Sequence, residues 1–469
     1  MERDEHILII SHDIVGEQMA GPGIRYFHLA RVLGREFPVT LAVPEGSAIS
    51  GDFSTIVYGS GNDDQLERAI GNARVVMVPA VHVIQIPALW NAQSPIVIDG
   101  YDPFVVETLY LGGDVSALQR VLTKAYLLGD FFICASERQR DWWLGLLEAY
   151  GRINLYTFGE DPSLRKLVDV VPFGLPAEPP RATRPVIKGI WPGIGPEDKV
   201  VLWGGGLWPW LDPLTAIRAV ARVWQQRQDV RLVFPGTRHP NPWMSGIPTH
   251  NEAARRLAGE LGLLNKAVFF GEWVHYKDWP NVLLESDVAL TLHPDTLEAH
   301  LAFRSRVLDY IWAGLPIIAT RGEATSDLVE RYRLGIVVDY GDDAGVANAI
   351  LYLLETPKEA WQAQFESARR DLTWEQVARP LIEFCRHPRR APDKIALGDR
   401  LGNQYYIHLL EIQQKEIIRL RELEQILEIQ QKEIIRLREL EQILLRYHRM
   451  VPFRVYFWLK RLKNRSKNK

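Results

Sequence analysis

Two arginines and an aspartate stand close together near the predicted start of one helix. Arg304 and Arg306 lie at its first turn, and Asp309 follows about one and a half turns later. Positive charge is unfavourable at a helix N-terminus because the helix dipole is positive there, so a bound anion would relieve the repulsion. The Asp309 carboxylate could accept hydrogen bonds from ribose hydroxyls. The alternative is that the arginines form surface ion pairs.

Glycine-rich loops precede two other predicted helices. Residues 21–23 read Gly-Pro-Gly, and residues 204–206 read Gly-Gly-Gly before Asp212 and Pro213. Glycines let backbone N–H groups approach an anion closely, although Gly-Pro-Gly also serves as a simple turn. Asp212 is predicted to cap its helix, with Pro213 at the first helical position. Neither loop has the full Gly-x-Gly-x-x-Gly spacing of a dinucleotide site.

Short apolar runs rich in β-branched residues recur along the chain and position these loops. Continuous apolar runs of this length indicate strands that are buried on both faces. Helical patterns lie between them, for example at 26–34, 213–227 and 251–261, and this alternation predicts βαβ units in an α/β fold. The runs are 6–11, 38–43, 74–79, 95–99, 131–136, 199–204, 231–236, 267–271, 288–293, 316–320 and 335–339.

A stretch rich in proline and glycine separates the two series of runs at about residues 175–197. We therefore predict two doubly wound, Rossmann-like domains, 1–175 and 198–388, followed by a linker at 389–405. Open parallel sheets bind ligands beyond the carboxyl ends of their strands. Two facing domains would therefore form one deep cleft, and a flexible linker would let that cleft close.

Charge is distributed unevenly between the body of the chain and its end. The 469 residues carry a net charge of −3, and 47% of them are hydrophobic and 24% charged, an ordinary globular composition. Residues 451–469 contain seven Lys and Arg and no acid, so the remainder is acidic. An acidic body disfavours contact with a phosphate backbone, and we expect no nucleic-acid partner.

The only two cysteines, Cys134 and Cys385, lie far apart in apolar surroundings. They predict neither a disulfide framework nor a cysteine-based zinc site, which fits a reducing compartment. The N-terminal residues lack the basic flank and long apolar core of a signal peptide. No apolar run reaches the roughly 18 residues of a membrane span, so we expect a cytoplasmic protein.

Residues 410–426 are repeated without change as residues 427–443. Apolar side chains at three- and four-residue spacing, such as Leu420, Leu423 and Leu427, predict a helix over 406–449. Such a helix exposes its apolar stripe unless it pairs, so we predict a coiled coil through which the chain associates with a second copy. The alternative is a helix that folds back on the body of the chain.

The segment 450–469 mixes aromatic and basic side chains. Phe453, Tyr456, Phe457 and Trp458 alternate with arginines and lysines. This composition suits an anionic membrane surface, which would place the protein peripherally at the inner face of a membrane. A disordered, solubilising tail is the alternative.

Five segments of the chain together resemble a known enzyme family. They are GPGIR, FFICASERQRDWW, VVLWGGGLWPWLDP, RVLDYIWAGLPIIAT and TWEQVARPLIEF, and they span roughly residues 5–388. In this order they resemble the GT4 family of glycosyltransferases, which have the GT-B fold. The fourth segment is similar to that family's LLEAMACGKPVIAT. The resemblance implies transfer of a sugar from a nucleotide-diphosphate sugar, bound by the second domain, to an acceptor bound by the first.

The resemblance also implies roles for individual residues. Gly205 and Gly206 would line the phosphate site, and Asp309 takes the place of the second acid of the family's E-x7-E pair, which usually holds the ribose. The first acid of that pair is replaced by Leu301, so Glu298 or His300 is a candidate substitute. The complete set implied for the donor is Gly21, Gly23, Gly205, Gly206, Trp273, Val274, Glu298, Arg304, Ser305, Arg306 and Asp309.

Charge on the leaving diphosphate is expected to be neutralised without a metal ion. The chain contains no Asp-x-Asp motif, which the other major glycosyltransferase architecture uses to hold a divalent metal. The family's usual Arg and Lys phosphate ligands are replaced by the glycine loop, so Arg304 and Arg306 are predicted to supply the positive charge. The family resemblance implies retention at the anomeric carbon, and Asp102 is predicted to orient the acceptor. On this hypothesis Arg304→Ala would lower turnover about 10²-fold.

Two other functions remain open at this point. A GT-B-like nucleotide-sugar epimerase would act on the donor without an acceptor. A catalytically inactive binding or scaffold module would explain the missing first acid. The acceptor is predicted only as a glycan, a lipid-linked group or another hydroxyl-bearing molecule.

Overall fold

The computed structural model describes residues 6–59, 63–239, 241, 244, 246–398, 401 and 403–465, and the side chains of 403–411, 447–448, 450–453 and 465 lie outside this description. The described chain forms two compact units, which divide after Leu401. The first unit contains two lobes, each built on a parallel sheet. The second unit is a single long helix.

The first lobe contains a seven-stranded parallel sheet in the order β3-β2-β1-β4-β5-β6-β7. Its four central strands are fully buried because helices cover both faces. The strands are β1 (Ile7–Ile10), β2 (Val39–Pro44), β3 (Ser54–Tyr58), β4 (Val75–Pro79), β5 (Ile96–Asp99), β6 (Phe131–Cys134) and β7 (Val168–Val170). The helices are α1 (Gly21–Leu33), α2 (Asp63–Asn72), α3 (Phe104–Tyr110), α4 (Val115–Leu128), α5 (Glu137–Ala149) and α6 (Leu155–Glu160).

The second lobe contains a six-stranded parallel sheet in the order β10-β9-β8-β11-β12-β13. Its strands are β8 (Lys199–Leu202), β9 (Val230–Phe234), β10 (Val268–Phe270), β11 (Val288–Thr291), β12 (Ile317–Thr320) and β13 (Gly335–Val338). The helices are α7 (Pro213–Trp224), α8 (Asn251–Glu260), α9 (Trp279–Leu284), α10 (Leu297–Leu301), α11 (Ser305–Ala313), α12 (Ala324–Tyr332), α13 (Asp343–Glu355) and α14 (Gln362–Leu372). As predicted, Asp212 caps α7, since its carboxylate accepts a hydrogen bond from the Thr215 amide at 3.0 Å.

The predicted α/β fold with two doubly wound, parallel sheets is confirmed. Each of the eleven predicted apolar runs overlaps a strand, and only β3 and β7 among the strands described lie outside these runs. Both are edge strands, and β3 alternates exposed and buried side chains. An edge strand lacks the continuous apolar run that marks a strand covered on both faces.

The chain returns to the first lobe after α14. The returning segment forms α15 (Trp374–Val377), α16 (Arg379–Arg386) and α17 (Pro392–Leu397). Phe384 stacks on Phe131 with ring centroids 4.8 Å apart, and Asp393 forms a fully buried ion pair with Arg152 at 2.6 Å. Residues 392–397 fall within the predicted linker at 389–405, yet this ion pair fixes them to the first lobe.

The second unit is helix α18 (Asn403–Arg465), which continues past Pro452 to Arg465. The predicted helix over 406–449 is therefore present, and it extends through most of the predicted tail. Its apolar side chains between 412 and 446 are exposed, including Leu420, Leu427 and Leu437. The coiled coil with a second copy stays a prediction. None of the described helices combines the length and apolar character needed to cross a bilayer.

Candidate functional site

A cavity of about 490 Å³ lies between the two lobes, where the carboxyl ends of both sheets face each other. The first lobe lines it with the loop after β1, the start of α1 and the segment that leads from β5 into α3. The second lobe lines it with the loops after β8, β9 and β10 and with the start of α11. Parallel α/β sheets bind ligands at this end, so the cavity is the candidate site.

Hydrogen bonds between the lobes hold the walls of this cavity together. They join side chains of the first lobe to loops of the second, so the shape of the cavity depends on both. The bonds are Asn241 Nδ2 to Asp13 Oδ1 at 2.7 Å, Tyr101 Oη to the Phe303 carbonyl at 2.9 Å, and His28 Nε2 with Tyr276 Oη at 2.7 Å.

Arg306 is a partly buried cation that lines the cavity without an acidic partner among the described residues. Its Nη1 atom is buried and has no hydrogen-bond partner. Burial lowers the pKa of Arg306, which reflects the energetic cost of a charge without a counter-ion. The guanidinium lies over the Trp203 ring, 5.7 Å from its centroid. A bound anion would satisfy this charge.

Arg304 also lines the cavity, but its charge is already neutralised. Its Nη1 and Nη2 atoms donate to the two oxygens of Glu298 at 2.7 and 2.6 Å, and its Nε atom donates to Glu323 at 2.8 Å. Although burial opposes the charge, the two carboxylates raise the pKa of Arg304. The expectation of free positive charge is therefore wrong for Arg304, and for Arg306 it stays a prediction.

Glu298 and His300, the two candidates for the missing first acid, both lie away from the cavity. Glu298 is fully buried beneath Arg304, and His300 is exposed at the end of α10. Glu298 was predicted to contact the donor, but its two carboxylate oxygens are occupied by Arg304. Its role in the structure is to hold Arg304 in place.

Asp309 faces the cavity from the second turn of α11. Its Oδ2 atom accepts a hydrogen bond from Trp279 Nε1 at 2.9 Å. Burial raises the pKa of Asp309 to about 7, and the bond from Trp279 and the charge of Arg306 only partly offset this effect. The remaining carboxylate oxygen is positioned to accept a hydrogen bond from a ligand.

The glycine loop after β8 lets the backbone approach the Arg306 side chain. Gly205 has a φ of +134°, a conformation that strongly favours glycine, and a Cβ atom there would lie 3.1 Å from Arg306 Cζ. The Gly204 amide donates to Tyr310 Oη at 2.8 Å, which fixes the loop to α11. Gly205 and Gly206 both line the cavity, together with Ser305 at the start of α11.

The two glycines at the start of α1 serve different purposes. Gly21 lines the cavity, and a Cβ atom there would meet Ser305 Oγ at an ordinary 3.5 Å. At Gly23 a Cβ atom would lie only 2.3 Å from the Ile14 carbonyl oxygen. Gly23 does not line the cavity, so its predicted contact with a ligand is wrong. Its small size instead lets α1 pack against the loop after β1.

Aromatic side chains form one wall of the cavity. Trp273 and Val274, which were predicted to contact the donor, line it beside His239 and Trp208. The His239 ring lies 5.4 Å from the Trp273 ring and 5.8 Å from the Trp208 ring, measured between centroids. Flat aromatic surfaces of this kind can stack against a planar base.

Acidic side chains line the first-lobe side of the cavity. Asp102 was predicted to act there, and it lies next to Glu107 of α3. Burial and the charge of Asp99 raise the pKa of Asp102 to about 7. Burial and the charge of Asp102 likewise raise the pKa of Glu107. Asp102 is therefore suited to hold or exchange a proton near neutral pH, and Glu107 favours its protonated form.

Sequence reasoning missed several residues of this cavity. His12 lines it with a buried Nδ1 atom that has no hydrogen-bond partner among the described residues, and burial lowers its pKa. Glu107 is the only acid in the apolar helix segment FVVETLY. Trp279 and His239 were also missed. An acid within an apolar segment was the one available signal.

Comparison with known proteins agrees with this geometry. Residues 198–356, which include β8 to β13, match the family model described as glycosyl transferases group 1. The chain is a glycosyltransferase. Its resemblance to the GT4 family, which the sequence motifs indicated, is thereby confirmed. The sequence matches none of the curated proteins.

Several solved glycosyltransferase structures share the fold of this glycosyltransferase over both lobes. HepE from Anabaena, in complex with UDP and glucose, is 15% identical with a TM-score of 0.58, and the match covers 82% of this chain and 100% of that one. Sucrose-phosphate synthase from Thermosynechococcus elongatus is 16% identical with a TM-score of 0.55, covering 82% and 98%. The UDP-forming α,α-trehalose-phosphate synthase from Burkholderia vietnamiensis is 12% identical with a TM-score of 0.55, covering 82% and 100%. These matches show the GT-B fold.

Proposed function

We propose that this glycosyltransferase transfers a sugar from a nucleotide-diphosphate sugar, held in the cavity between the lobes, to a hydroxyl group of an acceptor. The observation that carries the proposal is Arg306, a partly buried cation in the cavity whose buried Nη1 atom has no hydrogen-bond partner among the described residues. An uncompensated buried charge is costly, so such a residue indicates an anionic ligand. HepE has been solved with UDP and with UDP-glucose, ligands of the proposed class.

We propose one orientation for the donor in the cavity. The diphosphate would lie between the backbone of Gly205 and Gly206 and the start of α11, where Arg306 and the helix dipole favour negative charge. The ribose would contact Asp309, whose carboxylate Trp279 orients. The base would stack near Trp273. The donor sugar would then point toward the acids of the first lobe.

The proposed reaction retains the configuration at the anomeric carbon. The bond between that carbon and the diphosphate oxygen breaks while an acceptor hydroxyl forms a new bond on the same face. The hydroxyl proton moves to the leaving diphosphate oxygen, so no protein nucleophile is required. Arg306 and the amides of the glycine loop would stabilise the charge that develops on the diphosphate. Asp102 would orient the acceptor.

The positive charge needed by the diphosphate is proposed to come from protein groups instead of a metal ion. Among the described residues, no three His, Cys, Asp or Glu side chains are placed to share a metal. Arg306 and the uncapped starts of α1 and α11 face the cavity. Activity that survives a chelator would support this part of the proposal, and activity restored only by a divalent cation would contradict it.

The acceptor and the assembly are also proposals. We propose a glycan or lipid-linked acceptor, because the acids and aromatic rings on the first-lobe side suit a hydroxyl-bearing group. We further propose that the chain associates with a second copy through 406–449, since apolar side chains along this part of α18 are exposed.

Binding of nucleoside diphosphates to an Arg306 variant would test the function. Uridine, guanosine, adenosine and thymidine diphosphates would be titrated against the native chain and against Arg306→Gln, with thermal unfolding as the measurement. At least one nucleotide should raise the melting temperature of the native chain. Arg306→Gln should lose that stabilisation, and turnover with the matching sugar nucleotide should fall about 10²-fold.

Arg222→Gln provides the matched control. Arg222 belongs to the same lobe and pairs with Asp343 at the surface, 2.7 Å away, outside the cavity. The control should bind the nucleotide as the native chain does. Native-like binding by Arg306→Gln, or a native chain that binds none of the four nucleotides, would contradict the proposal.

A further inference from the structure

The last three turns of α18 present a face that the proposed transfer reaction does not use. Val455, Trp458, Leu459 and Leu462 are spaced i, i+3, i+4 and i+7, so they lie on one side of the helix. Their exposed fractions are 48%, 61%, 53% and 45%. We call these four residues the terminal apolar face. A contiguous exposed apolar face marks an interaction surface.

Basic side chains border the terminal apolar face. At about 100° per residue, Arg454 and Arg461 lie along one edge, and Lys463 lies along the other. The three side chains are exposed. Long basic side chains in this position can extend to a charged surface while the apolar face between them is buried. Residues 454–465 contain five basic residues and no acid.

The charge pattern distinguishes this part of α18 from the part that precedes it. Residues 412–446 contain seven acidic and seven basic residues, so two copies of that part can approach without net repulsion. Two copies of 454–465 would bring like charges together along their whole length. The partner that complements the terminal apolar face is therefore anionic and apolar at the same time.

We propose that the terminal apolar face inserts into the interface of a lipid bilayer that carries anionic lipid. The acyl region would receive Val455, Trp458, Leu459 and Leu462, and the headgroups would pair with Arg454, Arg461 and Lys463. Tryptophan favours the boundary between headgroups and acyl chains. The full chain would then bind such a membrane peripherally, through one short segment of α18.

Sedimentation with vesicles tests this proposal on the full-length chain. Vesicles of phosphatidylcholine alone would be compared with vesicles that also contain phosphatidylglycerol. The native chain should sediment with the anionic vesicles and remain in solution with the neutral ones. Arg454→Gln with Arg461→Gln should lower binding at least about tenfold, since each basic residue near an anionic surface contributes substantially. Trp458→Ala with Leu462→Ala should lower it by a similar factor.

Arg421→Gln with Arg438→Gln is the matched control, because it removes two charges from the earlier part of the same helix. It should bind anionic vesicles as the native chain does. Equal sedimentation with both kinds of vesicle, or native binding by Trp458→Ala with Leu462→Ala, would overturn the proposal. The proposal would also be overturned if the native chain bound neither kind of vesicle and if replacing Trp458 and Leu462 changed only the oligomeric mass of the protein. Nucleotide binding would be unaffected in each case, so this test is independent of the proposed function.

Discussion

Arg304 and Arg306 are two positions apart on the chain, yet their surroundings give them different roles. Arg304 is held by Glu298 and Glu323, and the three groups together form a buried ionic network. Arg306 has no such partners within the described residues and is available to a ligand. Neighbouring carboxylates, more than the position of an arginine along a helix, therefore decide whether its charge serves structure or binding.

Replacing Arg304 should mainly affect stability. Arg304→Gln leaves two buried carboxylates without their partner and should lower the free energy of unfolding by about 3–5 kcal/mol, measured by urea denaturation. Arg321→Gln is the control, because Arg321 pairs with Asp339 at the surface and should contribute less than about 1 kcal/mol. A stable Arg304→Gln protein with turnover reduced about 10²-fold would instead support the direct role that the sequence suggested.

Asp309 should make stability depend on pH. Its pKa is about 7 in the folded chain and about 3.9 when unfolded, so the folded state favours the protonated form. Its contribution to stability is present below the unfolded pKa and is lost as pH rises to about 7. Asp309→Asn stays neutral, so its stability relative to the native chain should rise between these pH values, by up to about 4 kcal/mol.

Thermal unfolding of Asp309→Asn and the native chain at pH 4, 6 and 8 would measure this difference. The amide oxygen of asparagine can still accept the hydrogen bond from Trp279, so the comparison isolates the charge. If the stability of Asp309→Asn relative to the native chain were the same at all three pH values, burial would not disfavour the charged form of Asp309.

At the scale of elements, the loop after β8 and the start of α11 form one unit around Arg306. Gly204 is tied to α11 through Tyr310, and Gly205 leaves room for the guanidinium. Neither element makes a site alone, because the glycine loop offers backbone amides and α11 offers the charge. Their relative position depends on the pairing of β8 with β11 and on the packing of α11 beneath them.

Gly205→Ala should disturb this unit in two ways. A Cβ atom would strain the backbone at a φ of +134° and would press on Arg306, so nucleotide binding should weaken about tenfold or more. Gly189→Ala is the control, since Gly189 has a φ of +73° but open space around its Cα atom. Both variants should lose some stability, and only Gly205→Ala should lose affinity in a calorimetric titration. Equal affinities would show that the loop does not position Arg306.

At the scale of the whole molecule, the chain crosses between its two lobes more than once. After α14 it returns to the first lobe, where the buried pair of Arg152 and Asp393 fixes it. The cavity walls are joined by bonds such as that between Asp13 and Asn241. The relation between the lobes is therefore set by long-range contacts, which also set the distance between the acids of one lobe and Arg306 of the other.

Self-association is a property of the whole molecule, and the exposed apolar side chains of α18 predict it. Replacing Leu423, Leu427 and Ile434 with glutamine would remove exposed apolar side chains without changing the net charge. The native chain should have the mass of two copies by light scattering, and the variant should have the mass of one. A native chain with the mass of one copy at micromolar concentration would contradict the predicted coiled coil.

The sequence by itself determined most of the helices and strands of this protein and its α/β fold class. Buried parallel strands are continuous apolar runs, and glycine loops and helix starts carry local signals, so the two sheets, the capping by Asp212 and the cavity-lining positions of Gly205, Arg306 and Asp309 could be predicted. The edge strands β3 and β7 lacked that signal because each has a neighbouring strand on one edge only and several of its side chains are not fully buried.

Only the tertiary structure decided which charges are free and which glycines meet the cavity. Glu323 lies 19 residues from Arg304 along the chain and Ile14 lies 9 residues before Gly23, and in each case the fold brings the pair into contact. Burial, which raises the pKa of Asp102 and Asp309, also arises only in the folded chain. Local patterns report on a residue's immediate neighbours in sequence, whereas ionisation and ligand access depend on neighbours in space.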